Sequence, residues 1–206
     1  DEAGTTVERY NKMADAIQAL KQGKIDCVIV DEQPAIAVTK DSGDLKILDE
    51  EFVSEDYAIC IAKGNEQLKE KINEALGALK EDGTIADIIS NYIGEEAGKH
   101  PYKTPAGTSY DNGTLVAATN ATFPPYEYYE NETVTGIDID IITAIGDRLG
   151  MKVEISDMEF DAIINSVNSG KADVGIAGLT VTEDRLKSID FSDAYTTSRQ
   201  VIIIKG

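Results

Sequence analysis

Asp15-Ala-Ile-Gln-Ala-Leu-Lys-Gln-Gly-Lys-Ile-Asp-Cys-Val-Ile-Val30 lines up with Asp161-Ala-Ile-Ile-Asn-Ser-Val-Asn-Ser-Gly-Lys-Ala-Asp-Val-Gly-Ile176 in a chain of 206 residues. Each copy reads as an amphipathic helix, a glycine stop (Gly23, Gly170), then Lys-x-Asp leading into an apolar run. Glycine suits the left-handed position after a helix, and a continuous apolar run suits a parallel strand covered on both faces. Two copies of one supersecondary unit predict two α/β lobes.

The rest of the chain alternates in the same style. Residues 114–118 read as a strand followed by a Phe-Pro-Pro turn. Residues 138–149 read as a helix with Ile141, Ile142, Ile145 and Leu149 on one face and Gly150 as its stop. A strand at 152–155 precedes the second repeat helix, while 45–48 and 57–62 read as strands and 66–79 as a helix. This βαβ alternation predicts an α/β fold with mostly parallel sheets. Between 95 and 113 the pattern stops, and Gly98, Pro101, Pro105, Gly107 and Asp111-Asn112-Gly113 read as a linker.

Composition narrows the function. Hydrophobic residues make up 42% and charged residues 28%, as in ordinary globular proteins, but the net charge is −19. Such a field repels phosphates and anionic lipid heads, so no nucleic-acid partner and no membrane surface are expected. No apolar run approaches the roughly eighteen residues a membrane span needs, and Asp1-Glu2-Ala3-Gly4 lacks a signal-peptide profile. The chain as written is expected to be soluble, with no membrane insertion. Cys27 and Cys60 each lie in an apolar run and read as free buried thiols; a disulfide would need a proximity that sequence does not give. His100 is the only histidine, which excludes histidine triads and multi-histidine zinc sites, so neither a metal nor a cofactor is expected.

From Gly113 onward the chain resembles the first half of the family 3 bacterial extracellular solute-binding proteins, the amino-acid-binding proteins of ABC importers. The residues that carry this are Gly113-Thr-Leu-Val-Ala-Ala-Thr-Asn-Ala-Thr-Phe-Pro-Pro-Tyr-Glu-Tyr128, Gly136-Ile-Asp-Ile-Asp140, Met158-Glu-Phe-Asp161, Gly178-Leu-Thr-Val-Thr-Glu-Asp-Arg185 and Ile189-Asp-Phe-Ser-Asp193. Residues 7–94 are similar to the family's second half, ending in Glu81-Asp-Gly-Thr84 and Asn91-Tyr-Ile-Gly94. The resemblance implies a two-lobed periplasmic-binding-protein-like (type II) fold, circularly permuted, with a linker joining the old ends. Residues 1–55 would form the small lobe, 56–94 the return segment of the large lobe, 95–113 the linker and 114–206 the main part of the large lobe. The family has a strand and a helix ahead of the segment that Val7-Glu-Arg-Tyr10 resembles; nothing supplies them here except Ala3-Gly-Thr-Thr6, similar to the loop between them. The small lobe is therefore expected to lack them or to receive them from another chain. Deliberate engineering is the simplest account of the order.

The resemblance also implies a ligand, a free amino acid, whose carboxylate, ammonium and side chain each need a partner. Arg185 is the carboxylate candidate, because a guanidinium forks onto a carboxylate bidentately. It follows a helix cap at Thr182, where a cation opposes the helix dipole; read alone, it also fits an exposed pair with Glu183 or Asp184. The backbone N–H groups of Thr180 and Thr6 would add donors. Asp31, ending its strand at the sheet edge where α/β ligands bind, is the ammonium candidate, with the Gly178 carbonyl as second acceptor. Read alone, Asp31 also fits a cap on the helix opened by Glu32-Gln-Pro34. The family places aromatics at the positions of Phe123 and Phe160, to sandwich a planar or cationic group. Asn120 stands where several relatives carry an aspartate, which leaves room for a neutral ligand such as glutamine; Glu127 would favour arginine or lysine, and Tyr126 lies beside it.

The expected mechanism is hinge closure about extended crossings near 52–58 and 200–205, with a transporter permease recognising the closed form. The family implies a periplasmic or extracellular location, lipid-anchored in a Gram-positive parent. The rival readings are an enzyme of periplasmic dehydratase type on the same fold, with Glu127 its one candidate acid, and an engineered permuted scaffold or sensor module with impaired binding.

Overall fold

The first repeat copy forms helix α1 (Met13–Lys21), burying Ala16, Ile17, Ala19 and Leu20 on one face, and strand β1 (Val28–Asp31). Gly23 between them has φ 71°, a value that favours glycine. These coordinates, a computed structural model, describe residues 4–40 and 42–206, and of 50 and 51 the backbone alone. Helix α2 (Glu32–Thr39) leads to β2 (Leu45–Ile61), a single strand of 17 residues. The two short strands expected at 45–48 and 57–62 are its ends, because the crossing between them is itself extended. Helix α3 (Glu66–Glu81) starts at Asn65, whose side chain accepts from the Leu68 N–H, and α4 (Thr84–Tyr92) follows.

Beyond the linker come β3 (Thr114–Thr119), β4 (Thr122–Phe123), β5 (Glu127–Glu130), β6 (Thr133–Thr135), α5 (Ile137–Leu149) and β7 (Lys152–Asp157). The second repeat copy is a 3-10 turn at Phe160–Ala162, α6 (Ile163–Asn168) and β8 (Val174–Gly175). Helix α7 (Glu183–Leu186) and strand β9 (Asp190–Lys205) complete the order. The linker is docked rather than free: Tyr102 and Tyr110 donate to the two carboxylate oxygens of Asp147 on α5 at 2.9 and 2.8 Å.

The main sheet has the order β1-β9-β2-β8-β3-β7. Its parallel part, β8-β3-β7, is the centre of the large lobe that the alternation implies. Strands β2 and β9 pair antiparallel from Leu45 opposite Lys205 to Ile61 opposite Asp190, so both run through the whole molecule. Side chains of β2 alternate: Tyr57, Ile59 and Ile61 join Ile72, Leu76, Ile88, Ile141 and Ile145 on one face. Ala58 and Cys60 join Ile163, Val167 and Phe191 on the other. Each large aliphatic side chain buried this way contributes about 1.5–3 kcal/mol. A separate core holds the small lobe, built from Ile17, Leu20, Val28, Val30, Ala35, Leu45, Val201 and Ile203. Phe123 packs against both the large-lobe and the small-lobe core, so the lobes are in contact there.

Three expectations change. Strand β1 is antiparallel to β9 and lies at the sheet edge, rather than parallel and covered on both faces. Its Val28 and Val30 face the helices, whereas Cys27 is exposed and Ile29 is 45% exposed on the face that no described element covers. Cys27 is thus a free surface thiol, and only Cys60 is buried. Residues 201–205 are not a crossing: Val201 and Ile203 belong to the small-lobe core, and the crossing lies where Tyr57 pairs with Thr196 and Val53 with Gln200.

Candidate functional site

The β2–β9 crossing brings the segment 178–185 of the large lobe against the end of β1. Ala58 N–H donates to Leu179 O at 3.1 Å and Val181 N–H to Asp56 O at 3.2 Å. These bonds bracket Thr180, which is bridged to Tyr57, and in such a pair the N–H of Thr180 turns away from β2. Thr180 donates its hydroxyl to Glu55 Oε2 at 2.6 Å and its carbonyl accepts from Arg185 Nη1 at 2.7 Å. Gly178 has φ 52°, and a Cβ there would lie 3.2 Å from the Tyr57 ring and 3.4 Å from Phe123. Its N–H donates to Asp138 Oδ2 at 2.7 Å.

Arg185 sits in α7, where Thr182 caps its N–H at 3.2 Å as the sequence suggested. The half-buried guanidinium lies 5.4 Å above the Phe160 ring, within cation–π range. It pairs with neither Glu183 nor Asp184; Asp184 is taken by Lys187 at 2.6 Å. Burial pushes Arg185 below its usual range, Glu55 opposes that, and the nearby Arg9 cation adds to it. The result is a charged fork with a ring and a carbonyl for partners and, among the described residues, no ion pair.

Asp31, at the end of β1, is 6% exposed. It occupies the N-cap position of α2, yet its side chain makes no capping hydrogen bond. Burial pushes its carboxyl up, while the Tyr57 and Ser198 hydroxyls facing it pull the other way. Asp31 Oδ1 and Tyr57 Oη are both buried without a hydrogen-bond partner among the described residues. A buried acceptor in that state costs about 1–3 kcal/mol until a donor reaches it.

The remaining residues divide. Phe123 stacks on Tyr126 with centroids 5.8 Å apart, and Tyr126 meets Tyr57 edge-on at 5.3 Å, forming an aromatic floor between the lobes. Asn120 is buried, donates to Met158 O at 2.7 Å and accepts from the Thr122 hydroxyl at 2.6 Å, so its amide braces the β3–β4 loop. Thr6 is exposed in the coil before α1. Glu127 is buried and faces Asp138 and Asp31. Sequence reasoning missed Glu55, Ser198 and Gln200, the last donating to Glu55 Oε2 at 2.8 Å. It also missed Asp138, although the stretch Gly136-Ile-Asp-Ile-Asp140 contains it beside a second acid, Asp140. Lys12 reaches across to Glu159 at 3.2 Å, a pair 42% and 58% exposed and worth about 0–1 kcal/mol. Among the described residues no cluster of acidic, histidine or cysteine side chains is grouped for a metal, and no helix is long and apolar enough to cross a membrane.

Two α/β lobes joined by strands that pass through both define a two-lobed binding-protein architecture. The chain belongs to the bacterial extracellular solute-binding proteins, family 3, whose sequence pattern matches residues 29–95 and 115–206. It is similar to the arginine-binding extracellular protein ArtP of Bacillus subtilis (strain 168), 32% identical over 100 residues, covering 48% of this chain and 39% of that protein. It is also similar to the L-cystine-binding protein TcyA of the same organism, 38% identical over 95 residues, covering 45% and 35%. Among solved structures, an ancestral arginine-binding protein bound to arginine is 54% identical over 39% of this chain and 36% of its own, with a TM-score of 0.39. The chain thus spans less than two fifths of the length of these two curated relatives in the matched regions.

Proposed function

We propose that this chain binds a free polar or basic L-amino acid, of the arginine, lysine or glutamine type, between its lobes, for delivery to an ABC-importer permease. The observation that carries the reading is a pair of unmet charges. Arg185 on the large lobe has no ion-pair partner among the described residues, and Asp31 on the small lobe has a buried oxygen without a donor. An α-carboxylate answers the first and an α-ammonium the second, with Thr180 N–H and the Gly178 carbonyl beside them. A ligand held by both lobes stabilises the closed arrangement by its differential affinity. Phe123 and Phe160 would flank its side chain, and Thr6 would approach from the coil before α1. Family membership supports a periplasmic or extracellular location. A binding role is preferred to catalysis because Glu127, the one candidate acid, is 1% exposed and turned toward Asp138. Arg185→Ala is expected to abolish amino-acid affinity in titration calorimetry; unchanged affinity would overturn the reading.

The same reading includes a permuted order, in which the linker docked on α5 joins the old ends. It also includes a small lobe completed by another chain that lays a strand along β1. The repeat supports this: β8, the counterpart of β1, has β2 on one side and the parallel strand β3 on the other, while β1 has β9 and an open edge. Native mass spectrometry is the check, and a stable monomer that binds an amino acid would show the extra strand to be dispensable.

A further inference from the structure

Beneath the Gly178 turn lie two acids that the proposed ligand contacts do not use. The backbone forces them together. Asp138 N–H donates to Tyr126 O at 3.0 Å, and Gly136 lets the chain pass so closely that a Cβ there would sit 2.1 Å from Tyr126 O. Glu127 at the start of β5 therefore meets Asp138 at the start of α5. Asp138 is 0% and Glu127 1% exposed. Asp138 Oδ2 accepts from the Gly178 N–H at 2.7 Å and from the Tyr195 hydroxyl at 2.9 Å. Asp138 Oδ1 and Glu127 Oε2 have no partner among the described residues. Two facing buried carboxyls cannot both be ionised cheaply, and one proton between them satisfies both orphaned oxygens.

We propose that Glu127 and Asp138 share one proton and act as a positioning pair, in which the charged Asp138 oxygen holds the Gly178 turn that carries Thr180 and Arg185. The role of the turn rests on the amino-acid-binding reading above; the proton-sharing pair does not. The groups facing the pair are Asp31 from β1, Tyr126 ahead of β5 and Tyr195 from β9, with Tyr57 from β2 behind Tyr126 and Tyr195. Burial pushes Asp138 up to about 6, against the Gly178, Tyr195 and Glu127 hydrogen bonds. Burial, Asp138 and Asp31 push Glu127 well above the usual carboxylate range. Glu127 is therefore the proton holder and Asp138 the charged acceptor at neutral pH. Below about pH 6 Asp138 gains a proton and the Gly178 bond loses its charge assistance. Glu127 loses its proton only above the ordinary carboxylate range, and the two acids then repel.

The test follows the Gly178 amide by NMR in the ligand-free protein across pH, then L-arginine affinity over the same range. The amide is expected to titrate with a midpoint near 6, and L-arginine affinity to fall roughly fivefold from pH 7 to pH 5, the difference between a charged and a neutral acceptor. Asp138→Asn is expected to remove the acid limb of the amide profile and to reduce that of the affinity profile to the part that Asp31 protonation contributes. Glu127→Gln, whose amide always donates, is expected to keep the acid limb of the amide profile and to remove the change on its high-pH side. A merely structural role would not separate the limbs in this way. A Gly178 amide that does not titrate overturns the pair. A titrating amide with L-arginine affinity equal at pH 7 and pH 5 overturns the positioning role. A titrating amide in a chain that binds none of the twenty amino acids sinks the binding reading and leaves the pair standing.

Discussion

Asp31 is held where burial makes its charge a cost, and in the proposed reading that charge would meet the ligand's ammonium. Its raised carboxyl means that the native state pays for ionisation which the unfolded chain makes freely. Asp31→Asn should therefore raise stability at pH 7 while weakening amino-acid binding. The sign fixes the pH dependence. The native carboxyl holds its proton to higher pH than the unfolded one, so the burden grows as pH rises from the ordinary carboxylate range and is absent below it. Thermal unfolding of the variant and the parent at pH 7 and pH 3.5 checks this: a gain at pH 7 that vanishes at pH 3.5. Arg185 was legible because a cap at Thr182 and a cation in the first helical turn conflict, and such a conflict marks a residue with another task. Tyr57 was not, because it opens an apolar run that reads as plain core, and Asp138 was not, because beside Asp140 in Gly136-Ile-Asp-Ile-Asp140 it reads as an ordinary acid in the first turn of a helix. Asn120 shows the opposite failure, since nothing in its neighbours reveals that Met158 and Thr122 occupy its amide.

At the scale of elements, periodicity located the two repeat units, α3, α5, β3, β7 and the ends of β2, but not α4, β4, β5 or β6, and it could not supply which strands lie side by side. The repeat predicted two equivalent strands, yet β1 is an open antiparallel edge and β8 a buried parallel strand, because only β8 has β3 beside it. Likewise β2 joined two expected strands into one, because Phe52–Tyr57 contains no glycine or proline and its polar Ser54, Glu55 and Asp56 stay extended by pairing with β9. Helix α5 offers a sharper test of packing against propensity. Alanine at Gly146 would gain about 1 kcal/mol of helix propensity. Its Cβ, however, would lie 2.4 Å from Val153 Cγ2 and 2.8 Å from Met151 O. Overpacking of this kind costs about 1–3 kcal/mol or more, and the backbone carbonyl cannot rotate aside. Gly146→Ala should lower the denaturation midpoint in urea, and a raised midpoint would show that α5 and β7 are less tightly apposed.

Across the whole molecule, two lobes share two continuous strands, and Arg185 and Asp31, neither in an ion pair among the described residues, belong to opposite lobes. Net charge, −19, says little about the ligand, because the three carboxylates on which the proposals rest, Asp31, Glu127 and Asp138, are buried. The architecture was legible from the repeat and the alternation, whereas closeness of the lobes at Phe123 was not. The most direct test is a thermal-shift series at pH 7 with each of the twenty amino acids. A ligand at a hundred times its Kd adds about 2.7 kcal/mol to the folded state, a rise of roughly 5–10 °C for a chain of this size. The expected result is a rise of that order with one or a few polar or basic amino acids, lost in Arg185→Ala. No rise with any of the twenty would contradict the account.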